Sequence, residues 1–93
     1  MSLSEQERQQ LAEKLAEMSY KQARKEVRRL DPDADLKMWR NSVGHNEMHT
    51  MYELPNLNSR VILVEEMHHE DKGDRTVVEY IYLEARVEEH PFN

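Results

Sequence analysis

Two apolar runs in the second half of the chain dominate its hydrophobic pattern. Residues 61–64 are continuously apolar, and residues 77–83 repeat this character with one glutamate among them. Such runs, rich in β-branched and aromatic residues, are typical of strands that carry apolar side chains on both faces. Between the runs, residues 71–74 supply a turn signal, because Gly73 adopts positive φ without steric cost. The pattern therefore predicts a central β-hairpin.

The turn signal is compatible with two hairpin registers. A three-residue loop pairs Leu63 with Ile81, whereas a two-residue loop pairs Val64 with Ile81. A shift of one residue exchanges the faces of one strand, and both strands are apolar on both faces. The hydrophobic pattern therefore leaves the register open.

A second consequence of the hairpin concerns Glu79. In either register Glu79 lies opposite another glutamate, Glu65 or Glu66, and His68 or His69 lies further along the same face. Like charges placed directly opposite each other destabilise a strand pair. We expect a neighbouring arginine, a cation, a shared proton or solvent exposure to offset this repulsion.

The first thirty residues have the pattern of a helix. Ser4 and Glu7 match a capping box, in which each side chain accepts a hydrogen bond from the backbone N–H of the other residue. Strong helix formers follow without Gly or Pro as far as Leu30, and Pro32 disfavours helical geometry at the residue before it. The sequence thus predicts one helix over about residues 4–30.

The apolar positions of this helix form two stripes rather than one. At 100° per residue the two stripes point in directions about 120° apart. The first stripe contains Leu11, Leu15 and Met18, and the second contains Tyr20, Ala23, Val27 and Leu30. We expect the second stripe to pack on the sheet. The first either wraps across the sheet after a bend near Ser19 or projects against another subunit.

The remaining segments complete an α+β fold. Residues 36–43 and 46–54 alternate between apolar and polar residues, and the turn signal at 44–46 separates them. With hairpin strands at about 59–70 and 74–88, the sequence predicts a four-stranded antiparallel meander over about residues 36–88. The N-terminal helix covers one face of this sheet, and a short C-terminal tail follows. We predict a single domain over residues 1–93.

Composition predicts that the domain acts as a homodimer. Only 38% of the 93 residues are apolar, and one helix covers only one face of a sheet whose hairpin is apolar on both. Tyrosines suit an interface because their rings bury area while their hydroxyls stay hydrated at its rim. The predicted interface residues are Leu11, Leu15, Met18, Val78, Tyr80 and Tyr82.

The net charge of −6 is unevenly distributed. Residues 1–30 carry a balance of +2, with seven basic and five acidic residues, and residues 31–93 carry −8, with six and fourteen. The sheet half therefore disfavours contact with a phosphate backbone, and nucleic acid is not the expected partner. An alternative hypothesis places nucleic-acid binding on the basic helix face, at Lys21, Arg24, Lys25 and Arg28.

Five histidines raise the question of a metal site, although no pair of them has a diagnostic spacing. A composite of His49, one of His68 and His69, and Glu79 could bind a divalent ion such as zinc if the strands align suitably. This composite is the second alternative hypothesis, a protein that binds a metal or small ligand and could be catalytic. No other cofactor is expected.

The sequence lacks the residues that several other classes of function require. The chain has no cysteine and only two glycines, so it contains neither a thiolate nucleophile nor a glycine-rich phosphate loop. No segment has the roughly 20 apolar residues that span a bilayer, and no apolar stretch follows Met1, so we expect a cytoplasmic protein without membrane contact. The sequence favours a small non-enzymatic binding or regulatory module that works as a homo-oligomer.

Overall fold

The computed structural model describes residues 2–42 and 46–91, with side chains for 2–37 and 46–91. Within those residues the chain forms two helices and a four-stranded sheet, which confirms the α+β class. In chain order the elements are α1 (Glu5–Glu17), α2 (Tyr20–Leu30), β1 (Asp35–Ser42), β2 (Glu47–Leu54), a 3-10 turn (Pro55–Leu57), β3 (Ser59–Lys72) and β4 (Arg75–Glu89).

The sheet is an antiparallel meander with strand order β1-β2-β3-β4, as the sequence pattern predicts. β1 pairs irregularly with β2, with register shifts on both sides of Met38. The turn between these strands was predicted at residues 44–46. Asn46 has a positive φ of 59°, and Gly44 and His45 lie outside the described residues. Val43, the predicted end of the first strand, also lies outside them.

The prediction of one continuous helix is wrong, because the helix breaks between Glu17 and Tyr20. Ser19 is an extended residue that caps α2: its hydroxyl accepts from the Gln22 N–H at 3.2 Å, and the Gln22 side chain accepts from the Ser19 N–H at 3.2 Å. This second capping box fixes a bend at Ser19, the first of the two expected solutions. The bend turns both apolar stripes toward the same sheet.

The predicted cap at Ser4 is confirmed. Its hydroxyl accepts from the Glu7 N–H at 3.1 Å, and a Glu7 carboxylate oxygen accepts from the Ser4 N–H at 2.9 Å. The hydrogen bond from the Ser4 backbone N–H, and then the Ser4 side chain, favour the ionised form of the Glu7 carboxyl group and lower its pKa. α1 therefore begins with two of its free N–H groups satisfied.

One hydrophobic core lies between the helices and one face of the sheet, which we call the helix face. Along β2 every second residue is buried, as a strand with one covered face requires. The core residues are Leu15, Ala23, Val27, Tyr52, Leu54, Val61, Leu63 and Ala85. Both helices contribute to this list, so the bend places α1 and α2 in a single layer over the sheet.

The C-terminal end of α2 is fixed by a buried carboxylate. Asp31 is fully buried and accepts from the Asn56 backbone N–H at 2.9 Å, the Asn56 side-chain amide at 2.6 Å and the Asp33 N–H at 2.9 Å. These bonds tie the end of α2 to the turn between β2 and β3. Asp31 forms no ion pair with the described side chains, and these donors satisfy its buried oxygens instead.

Candidate functional site

β3 and β4 extend well beyond the rest of the sheet. The last residue of β3 that pairs with β2 is Glu66, which lies opposite Glu47. From Met67 onward β3 pairs only with β4 among the described strands, so residues 67–80 form a two-stranded ribbon. This ribbon, together with Ile81 at its base opposite Glu66, is here called the arm. Six residue steps from Ile81 to Arg75 give the arm a length of about 20 Å. The molecule is correspondingly elongated, measuring 53 × 25 × 22 Å.

A two-residue loop closes the arm. Lys72 pairs with Arg75, so Gly73 and Asp74 form the turn, and Gly73 has φ of +73°. Asp74 is not among the described residues with positive φ, so glycine occupies the first central position as in a type II′ turn. This turn type suits the right-handed twist of the two strands.

Both predicted registers are wrong. Ile81 pairs with Glu66, rather than with Leu63 or Val64, because the loop consists of Gly73 and Asp74 and is therefore centred one residue later in the chain than the predicted two-residue loop. A bulge adds a further shift: Val64 pairs with Glu84 and Glu65 with Tyr82, which leaves Leu83 as the extra residue of β4.

The prediction that Glu79 opposes a glutamate is also wrong, since its cross-strand partner is His68. Opposed glutamates do occur, but at Glu47 and Glu66 at the end of β2. Each has a histidine two residues away on its own strand: Glu47 contacts His49 at 3.2 Å and Glu66 contacts His68 at 3.0 Å. A nearby histidine thus accompanies each carboxylate of the repulsive pair.

The arm exposes large apolar side chains on both faces. The exposed fractions are 38% for Val77 and 42% for Ile81 on the face opposite the helices, and 42% for Val78 on the helix face. Tyr80 is 41% exposed, and Leu83 at the bulge is 47% exposed. Soluble monomers rarely present contiguous apolar surface of this kind, so the arm is the candidate functional site.

Two charged residues flank Val77 on the outer strand of the arm. Arg75 lies opposite Lys72, which carries the same charge, and Glu79 lies opposite His68, whose imidazole contacts Glu66. Within the described part of the chain, neither Arg75 nor Glu79 forms an ion pair. The outer strand therefore presents one cation and one anion, four residues apart, on the same face.

A polar cluster joins the base of the arm to the helices. The Tyr20 and Thr50 hydroxyls are 2.7 Å apart, and the Tyr82 hydroxyl donates to the Leu15 carbonyl at 2.9 Å. The rings of Tyr20 and Tyr82 lie 6.0 Å apart in a tilted arrangement. Each hydroxyl is satisfied although the rings are half-buried, so the cluster anchors β4 beneath both helices.

Burial shifts the titration of this cluster. It raises the pKa of Tyr82 to about 12, with a further contribution from the negative charge of Glu65, and it also raises the pKa of Tyr20. The pKa of Glu65 is raised by burial, and the Arg24 guanidinium partly offsets this effect. The ionised form of Glu65 is therefore less favourable here than in water.

The six predicted interface residues divide into two groups. Leu15 is fully buried in the core of its own chain, and Leu11, Met18 and Tyr82 pack against that core. Val78 and Tyr80 are exposed on the arm. The bend at Ser19 explains this division, because it directs the first helical stripe onto the chain's own sheet.

Sequence reasoning missed Val77 and Ile81, although both belong to the apolar run that signalled the strand.

The residues of the predicted metal composite do not converge. His49 pairs with Val64, four residues along β3 from His68, and four residues of a strand span about 13 Å. His68 and His69 are adjacent on β3 and point to opposite faces, so only His68 shares a face with Glu79. Among the described residues, no group of three histidine or acidic side chains could hold a metal ion.

The predicted basic face, by contrast, forms one surface. Lys21, Arg24, Lys25 and Arg28 line a shallow depression of about 300 Å³ together with Tyr20. The Arg24 Nε donates to the Tyr52 hydroxyl at 2.8 Å, and the guanidinium lies 5.7 Å from the centre of the Tyr20 ring. These contacts hold Arg24 in place and raise its pKa.

Comparison with known protein families, with curated proteins and with solved structures finds no match for this chain. None of the helices in residues 2–42 and 46–91 is long and apolar enough to cross a membrane.

Proposed function

We propose that this protein is a small non-enzymatic binding or regulatory module that acts as a homodimer through its arm. The observation that carries the proposal is the apolar surface of the arm, at and beyond the end of β2, where Val77, Val78 and Ile81 are each about 40% exposed. No helix of the described chain extends over this part of the hairpin. Contact with a second arm would withdraw part of this surface from water and stabilise the assembly.

A second copy of the chain is the partner that this surface favours. A single two-stranded ribbon is marginally stable in water, whereas three or more strands with an apolar face are independently stable. Two arms side by side supply four strands. The arm also carries a cation and an anion without ion-pair partners among the described residues, Arg75 and Glu79, so that two antiparallel copies complement each other in charge.

Sedimentation of the parent and of two variants tests the proposal. We expect the parent to be dimeric at tens of micromolar and a Val78→Glu, Ile81→Glu double variant to be monomeric, because charges would replace apolar contacts. Leu36→Glu is the matched control, since Leu36 is 36% exposed on β1 at the other edge of the sheet. The control should remain dimeric. A parent that is monomeric at this concentration would contradict the proposal.

A second candidate function is polyanion binding by α2, which its charge arrangement favours. Lys21, Arg24, Lys25 and Arg28 include like-charged pairs three and four residues apart, which destabilise a helix by a few tenths of a kcal/mol each. The acid on this helix, Glu26, pairs instead with Lys14 and Arg29.

Retention on a heparin column separates this candidate from the first. Binding through α2 predicts retention that decreases with salt and is lost in a Lys21→Gln, Lys25→Gln variant. A matched Lys14→Gln variant should elute with the parent, because Lys14 lies outside this face. If the parent passes through the column at low salt, the polyanion hypothesis is wrong.

A further inference from the structure

β4 is an edge strand, because none of the other described strands pairs with its outer side. Because Lys72 and Arg75 close a two-residue turn, the N–H of Arg75 points inward to Lys72. Backbone groups alternate in direction along an antiparallel strand, so Thr76 and Val78 turn theirs outward. A long exposed edge of this kind is a template for pairing with another strand.

We propose that two copies pair along this edge, with β4 antiparallel to β4 and Val77 on the two-fold axis. The proposal rests on the arm-mediated dimer and specifies its geometry. Val77 then lies opposite Val77 of the second copy, and Arg75 lies opposite Glu79 of the second copy. By symmetry the same ion pair forms on the other side of the axis, so each copy supplies one arginine and one glutamate.

Hydrogen-bond geometry limits the possible registers. In an antiparallel pair, residues that exchange hydrogen bonds must both direct their backbone groups toward the partner. On the outer edge of the arm these are the even-numbered residues, so even-numbered residues must lie opposite even-numbered ones, and odd opposite odd. The two-fold axis therefore passes through a residue, which lies opposite the same residue of the second copy, and not between two residues. The regular edge runs from Arg75 to Tyr82, before the bulge, so an axis with at least two edge residues on each side lies at one of the residues 77–80.

Charge and packing select among these positions. An axis at Glu79 places two glutamates directly opposite each other, which is unfavourable. An axis at Val78 places Arg75 opposite Ile81. An axis at Tyr80 places Arg75 opposite Ala85, beyond the bulge at Leu83 and beside α1, where the regular edge has ended.

An axis at Val77 avoids each of these problems. It pairs residues 75–79 with the same residues of the second copy and remains within the regular part of the edge. It also supplies the partner that each charge lacks within its own arm, where Arg75 faces Lys72 and Glu79 faces His68. The two sheets thereby become one continuous sheet, with a four-stranded segment at its centre.

Disulfide trapping tests the position of the axis, and the natural absence of cysteine makes every cross-link specific. Residues opposite each other in a pair without hydrogen bonds have Cα atoms about 4.5 Å apart, within the range that a disulfide spans. We expect Val77→Cys to form a covalent dimer on mild oxidation. Val78→Cys and Tyr80→Cys are the matched controls and should remain largely uncross-linked, since neither would face its own copy.

Charge exchange supplies the second test. Arg75→Glu and Glu79→Arg should each raise the dimer dissociation constant about tenfold, because each reversal creates two like-charged pairs per dimer. The double variant should restore the parent constant. Glu70→Lys on β3 is the matched control; Glu70 belongs to the inner strand of the arm, opposite Val77, and its reversal should leave the constant within about twofold.

The outcomes distinguish the geometry from the dimer itself. Suppose that the dimer is lost in the Val78→Glu, Ile81→Glu variant, but that Val78→Cys or Tyr80→Cys cross-links more readily than Val77→Cys. That result would overturn the register and leave the arm-mediated dimer in place. So would a charge-exchanged double variant that is as weak as the single variants. A monomeric parent would overturn both.

Discussion

β3 and β4 run through both the arm and the rest of the molecule, here called the body, but they have opposite environments in the two regions. In the body, Val61 and Leu63 of β3 are fully buried beneath the helices. In the arm, Val77 and Val78 of β4 are 38% and 42% exposed, although they belong to an equally apolar run. Coverage rather than composition separates the two regions, because α1 and α2 together cover only the part of the sheet that ends near Tyr82.

Matched leucine truncations should give the largest contrast between these regions. Leu63→Ala in the body should lower the free energy of unfolding by about 2–5 kcal/mol, because it leaves a cavity in a closed core. Leu83→Ala, at a leucine that is 47% exposed beside the arm, should cost less than about 1 kcal/mol in dilute solution. Urea denaturation at low protein concentration measures both. Equal losses would mean that the end of the body is as well covered as its centre.

Removing the cap at the helix bend should have the next largest effect. Ser19→Ala should destabilise the protein by about 1 kcal/mol, because the Gln22 N–H loses its acceptor and the bend loses its constraint. Ser4→Ala should cost a similar amount at the start of α1. Ser19→Asp is the matched control, since aspartate also caps helices. An unchanged thermal midpoint for Ser19→Ala would show that packing alone maintains the bend.

Glu26 should give the body an acid-sensitive contribution to stability. Hydrogen bonds from Arg29, then from Lys14, lower its pKa from 4.5 to about 2. A lowered pKa in the folded state means that the stabilisation is complete above about pH 5 and is lost as the pH falls toward 2. Because both partners are more than half exposed, we expect no more than about 1 kcal/mol. Glu26→Gln should remove this part of the pH dependence, which urea denaturation at pH 3 and pH 6 would measure.

Glu65, at the base of the arm, should behave in the opposite way and give the smallest effect. Burial raises the pKa of Glu65, so the ionised side chain destabilises the folded state. The contribution of Glu65 to the free energy of unfolding therefore becomes more favourable as the pH falls through this raised pKa. Glu65→Gln should therefore stabilise the protein at pH 7 and approach the parent in acid, as urea denaturation at the two pH values would show. A destabilised variant at pH 7 would show that the attraction of Arg24 outweighs burial.

The accuracy of the sequence analysis also differs between the two regions. In the body, alternation located β2 to within one residue, and the capping box at Ser4 located the start of α1. The bend at Ser19 could also be predicted from the sequence, since Ser19 and Gln22 repeat the capping-box spacing of Ser4 and Glu7. Caps are visible in sequence because they use short-range contacts between particular residue types.

The register of the arm was not predictable in the same way. The turn signal at residues 71–74 allowed several loops, and apolar residues on both faces removed the usual penalty for a shift. The bulge at Leu83 depends on how β4 passes from the covered body to the arm, which is a tertiary property. The positions of the predicted metal ligands depend on a different register, that of β2 and β3, which places His49 opposite Val64 rather than near His68.

Amide hydrogen exchange at two protein concentrations tests the central claim most directly. The claim is that the body is complete within one chain, whereas the arm is completed by a second copy. We predict that the Val61 and Leu63 amides are protected equally at low and high concentration, and that the outward amides of Thr76 and Val78 become protected only at concentrations that favour the dimer. Rapid exchange at Thr76 and Val78 that does not change with concentration would contradict the account.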